Sequence, residues 1–105
     1  MTRDEFIKEI ETFFAGVVET IRKKNADYSN GDDPFRNFYV AEHLGITDAR
    51  NAILVRKADK LARAATLLKK SPDVVSESLA DTLADDAAYS AILAVFTRYL
   101  EKHDV

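Results

Sequence analysis

Apolar residues return every three or four positions along most of this chain, and that spacing constrains the fold more than any other feature. Phe6, Ile10, Phe13, Phe14, Val17 and Ile21 make one apolar face of a helix of about 20 residues. Its start carries a capping box, Thr2 with Glu5, in which each side chain reaches the other's free backbone amide. Arg22, Lys23 and Lys24 suit the negative end of its dipole. With three glycines and two prolines in 105 residues, little interrupts helices elsewhere.

The breaks are local. Residues 25–34 read as a polar loop, with turn formers at Asn30-Gly31 and Asp33-Pro34. A short helix is expected between Phe35 and Leu44, stopped by Gly45. Thr47 or Asp48 then caps a second long helix reaching Lys70. Ser71-Pro72-Asp73 is a break or a new start, since proline is tolerated in a first helical turn. The last long helix is expected over residues 76–102. The expectation is one all-α domain over residues 1–105: three long helices and one short one, four-helix-bundle-like, completed by dimerisation.

Composition excludes several classes. There is no cysteine, hence no thiolate or disulfide chemistry. A net charge of -3 gives no strong expectation of nucleic-acid binding, which needs a basic surface. No apolar run approaches the ~20 residues that span a bilayer. The acidic start, Met1-Thr2-Arg3-Asp4-Glu5, is unlike a signal peptide. The expectation is a cytoplasmic protein with no membrane partner.

Three constellations are candidates for chemistry. Glu77, Asp81 and Asp85 recur every four residues and spread over about 80° of one helical face. Farther along, that stripe turns apolar, through Ala84, Ala88, Ile92, Val95 and Tyr99. Carboxylates beside a core are costly unless paired or bound to a cation, and hard oxygen ligands suit Mg²⁺. The plainer alternative is an acidic first half of an amphipathic helix. Arg56, Asp59, Lys60 and Arg63 lie within about 100° on the preceding helix. They suit Mg²⁺ and nucleotide phosphates, or simply a solvated face with an Asp59–Arg63 pair. Leu54, Leu61, Ala65 and Leu68 form a separate apolar face. The segment from Asp27 to Phe38 offers aromatics and amides to a base, or core plugs in Phe35 and Phe38. It fails the calcium-loop pattern, because Phe38 stands where a bidentate Glu is needed. His103-Asp104 looks like a metal pair but sits at a fraying end.

Three segments together carry a resemblance. They are Lys24-Asn25-Ala26-Asp27-Tyr28 with Asn37-Phe38, then Asp59-Lys60-Leu61-Ala62-Arg63, then residues 77–85, from Glu77 to Asp85, with Ala88-Tyr89. They resemble the phage and prophage proteins called nucleotide-modification-associated domain 1. That family is similar to the all-α nucleoside triphosphate pyrophosphohydrolases of the MazG and dimeric dUTPase group. The resemblance implies a Mg²⁺-dependent hydrolase that splits a deoxynucleoside triphosphate into monophosphate and pyrophosphate. Glu77 and Asp81 would be catalytic and, with Asp59 or Asp85, would hold the metal. Lys60 and Arg63 would neutralise phosphate charge, and Tyr28, Asn37 and Phe38 would contact base or sugar. Three positions depart from the pattern. The first metal helix offers only Asp59 among bases, Glu77-x-x-x-Asp81 is one residue longer than Glu-x-x-Asp, and Asp86 replaces an apolar residue. They leave open a rival, a non-catalytic module that binds a nucleotide or a host partner.

Overall fold

The computed structural model of the chain describes residues 1–28, 33–70 and 72–103, and their side chains outside 26–28 and 72–78. Four α-helices run in order: α1 (Arg3–Tyr28), α2 (Val40–His43), α3 (Ala49–Leu68) and α4 (Pro72–His103), with a 3-10 turn at Arg36–Tyr39 leading into α2. No strand occurs among the described residues. The architecture is all-α, with three long helices.

The helix starts follow from their caps. Glu5 N–H donates to Thr2 Oγ1 at 3.1 Å and Thr2 N–H donates to Glu5 Oε2 at 3.3 Å, so the box closes as the spacing requires. Asp48 caps α3, its Oδ1 accepting from Asn51 N–H at 2.9 Å. The amide holds the Asp48 carboxyl below its ordinary value, chiefly through that backbone hydrogen bond. Gly45 ends α2 with a φ of 77°, a left-handed conformation that glycine adopts at little cost.

Two boundaries differ from the expectation. α1 continues through Asn25 to Tyr28 instead of ending near Lys24; no glycine or proline stands between Lys24 and Gly31 to stop it. Residues 29–32 of the expected loop lie outside the described residues. α4 begins at Pro72, not at Ser76, with proline in the first turn, where its missing N–H costs nothing.

α3 and α4 form the main packed pair, α1 lies on α4, and the 3-10 turn and α2 lie on α3. The central cluster is Phe38, Ala49, Ile53 and Phe96. Phe35 stacks on Phe96 at a centroid distance of 4.5 Å, and Tyr39 meets the same ring edge-on at 5.7 Å. Burial raises the Tyr39 phenol above its ordinary value, assisted by the nearby carboxylates of Asp33 and Glu42. The opposite end of the α3–α4 pair is closed by Ala64, Leu67 and Thr82. Small residues at 49 and 64 let the two helices approach closely. The Leu54–Leu61–Leu68 face takes no part in that contact: its leucines are 48%, 53% and 70% exposed.

Candidate functional site

The α3–α4 contact is polar along one edge. The helices are antiparallel neighbours, so residues ascending α3 meet residues descending α4. Lys57 Nζ lies 2.7 Å from Asp86 Oδ1 and 2.6 Å from Ser90 Oγ. One turn on, Lys60 Nζ lies 3.0 Å from Asp85 Oδ2. Beyond it, Arg63 Nε donates to Thr82 Oγ1 at 3.3 Å. The lysines can enter a helix interface because their alkyl stems cover apolar surface while the ammonium groups find acceptors. Asp86, the acid that stood in an apolar register, is explained by Lys57. Both side chains are about one-fifth exposed, so the pair is partly desolvated.

Beside this seam lies a cleft of about 840 Å³, bounded by the second half of α1, the 3-10 turn and α4. That is within the ~300–1,000 Å³ usual for small-molecule sites. Its walls are mostly apolar: Val18 and Ile21 from α1, Phe35 and Phe38 beside the turn, Tyr89, Ile92 and Val95 from α4. Six polar side chains border it: Thr20, Lys24, Asn25, Asn37, Arg56 and Asp85. The Arg56 guanidinium sits 5.3 Å from the centre of the Phe38 ring, a cation–π contact that holds a positive charge at the cleft wall.

The sequence-derived site residues separate into three groups. Asn37, Phe38 and Asp85 line the cleft, and Lys60 adjoins it through Asp85. Phe38 is 8% exposed and belongs to the core cluster, so it forms a wall. The other aromatic side chains lining the cleft are Phe35 and Tyr89, both half-buried. Arg63 lies one turn further along the seam, bound to Thr82. Asp59 and Asp81 are exposed. The side chains of Glu77 and Tyr28 lie outside the described residues. Among the described residues no three His, Cys, Asp or Glu side chains gather closely enough to hold a metal ion, and Asp85 already has a cation in Lys60.

Among the polar and aromatic residues of the cleft, sequence reasoning leaves Thr20, Lys24, Asn25 and Tyr89 out of the site. Lys24 had a sufficient explanation as a dipole partner, and Asn25 as the first residue of the polar loop. The signal available was that both stand in the same short segment as Tyr28. No family model matches the chain, and no curated protein or solved structure matches it either. No helix among the described residues is long and apolar enough to cross a membrane.

Proposed function

We propose that the cleft between α1, the 3-10 turn and α4 binds a nucleoside triphosphate, its base among the apolar walls and its phosphates toward Arg56, Lys24 and Lys60. The observation that carries this reading is one cleft bordered by an aromatic wall, two amides and two cations. Apolar and aromatic walls suit a flat base, amides suit its edge, and fixed cations suit phosphate oxygens. A cytoplasmic location follows from this reading, since that is where such substrates are held.

Hydrolysis to monophosphate and pyrophosphate is the activity that the family resemblance adds. Asp81 is the carboxylate we assign to Mg²⁺, with Glu77 one turn earlier on α4. Asp81 is exposed and has no ion pair among the described residues. The ion would arrive with the triphosphate and would polarise it and activate water. We further infer a homodimer, because many large apolar side chains of this short chain remain open.

Calorimetric titration with deoxynucleoside triphosphates, with and without Mg²⁺, tests the binding reading. Asn37→Ala and Arg56→Ala should each weaken binding, Arg56→Ala by about tenfold for a lost charge-assisted contact. No heat from any nucleotide at millimolar concentration overturns it. Pyrophosphate release in the same samples separates an enzyme from a binding module.

A further inference from the structure

The chain exposes more surface than its mass requires. Its accessible area is 7974 Å², whereas compact monomers of this mass expose about 5,900 Å². The excess, about 2,000 Å², exceeds the ~800 Å² that each partner gives to a standard interface. The radius of gyration is 16.0 Å, against about 13 Å for a compact domain of this length.

Two helix faces hold much of this open apolar surface. On the first half of α1, Phe6 and Phe14 are each 52% exposed, Ile7 is 49% exposed and Ile10 39% exposed. On α3, the stripe is Leu54, Leu61 and Leu68, with the exposed Ala58 and Ala65 between them. The α1 face spans about 12 Å and the α3 stripe about 21 Å at the helical rise. Ile7 and Phe14 are seven residues apart, as are Ala58 and Ala65. Large side chains on one helix thus find small ones at the same repeat on the other, the relief that knobs-into-holes packing needs.

Charge sorts the two faces in the same way. Residues 3–19 hold five acids and two bases, while Ala49–Leu68 holds five bases and one acid. Asp4 and Glu11 border the α1 face on the helical wheel, and Arg50 and Lys69 border the α3 stripe. Two α1 faces laid together would set acid near acid, and two α3 stripes base near base. The acids also disfavour an anionic lipid surface.

We propose that two copies of this chain pair about a two-fold axis, the first half of α1 from each lying on the Leu54–Leu61–Leu68 stripe of the other. Reciprocal pairing covers both faces at once, as a closed two-fold interface allows. The mode rests on the homodimer inferred above, and its test separates the two claims. Sedimentation velocity should show a dimer at tens of micromolar; monomer alone at that concentration overturns homodimer and mode together.

The mode is read by cross-linking, which the absence of native cysteine makes clean. Ile10 and Leu61 lie near the middles of their faces, so they meet whichever way the helices run. Ile10→Cys and Leu61→Cys chains carrying different tags are refolded together and treated with a short bis-maleimide. A covalent product containing both tags is expected, with little product from either variant alone. A link within Ile10→Cys alone signifies α1 on α1, and one within Leu61→Cys alone signifies α3 on α3. Either result, or no link at all in a chain that sediments as a dimer, overturns the mode while leaving the homodimer standing. Leu61→Glu supplies a second readout: it should shift the chain to monomer without loss of helical content. A dimer that survives Leu61→Glu also overturns the mode.

Discussion

Asp85 holds the balance between two accounts of the cleft, and Asp85→Asn separates them. In the structure this carboxylate is the counter-ion of Lys60, at 3.0 Å, with both side chains about one-third exposed. Pairs this exposed contribute at most about 1 kcal/mol, so the variant should fold and lose no more than that. Its effect on ligand is expected to have the opposite sign. A unit negative charge about 8 Å from a phosphate costs roughly 2 kcal/mol at an effective dielectric of about 20. Salt and exposure reduce this to about 1 kcal/mol, roughly a fivefold change in Kd. Removing the charge also frees Lys60 to turn toward the phosphates. Asp85→Asn should therefore bind a nucleoside triphosphate about fivefold more tightly, measured by calorimetry in Mg²⁺ and again in EDTA. If Asp85 were instead a metal ligand, the same substitution would weaken binding in Mg²⁺ and leave it unchanged in EDTA. That second pattern would refute the counter-ion account and return Asp85 to the metal site expected from the stripe Glu77, Asp81, Asp85.

Four further outcomes are expected. Phe96 is 1% exposed and carries the aromatic cluster, so Phe96→Ala should cost about 3–5 kcal/mol in urea denaturation; a loss under 1 kcal/mol would displace that cluster from the core. A Cβ built at Gly16 meets nothing within 4 Å, so Gly16→Ala should stabilise α1 by about 0.5–1 kcal/mol, read in the same assay. The folded Asp48 carboxyl lies below its ordinary value, so its contribution is present above the unfolded-state value and fades as pH falls through the lowered one. Asp48→Ala should accordingly melt below wild type at pH 7 and draw level in strong acid; an equal gap at both would detach the cap from the carboxylate charge. Asp81→Asn should reduce the rise in melting temperature that Mg²⁺ with nucleotide gives wild type, and an unchanged rise would remove Asp81 as a ligand.

What the sequence made legible was set by how local the governing interaction is. The Thr2–Glu5 box and the α3 cap each need only residues three apart: the box forms as read, and of the two cap candidates, Thr47 and Asp48, it is Asp48 that accepts. The end of α1 was harder, because Asn25 and Asp27 favour turns only weakly. With α1 resting on α4, packing decides the matter in favour of more helix. The α3 helix shows the deeper limit. Its sequence carries two arcs able to face a partner: the Leu54–Leu61–Leu68 arc, and one made of Ala49, Ile53, Lys57, Lys60 and Ala64. Periodicity favours the first, since it is the more apolar. Against α4 the second prevails, because its alanines allow close approach and each of its lysines finds an acid on the facing helix, Asp86 for Lys57 and Asp85 for Lys60. No pattern within α3 shows that those acids exist, and none within α4 shows that Asp86 has a cation waiting. The same matching explains why the acidic stripe could be read as a metal site. Glu77, Asp81 and Asp85 are evenly spaced along one helix, but spacing alone does not distinguish a carboxylate facing a lysine from one facing open solvent. Asp85 is of the first kind and Asp81 of the second, so Asp81 is the stripe residue on which a cation test should be made.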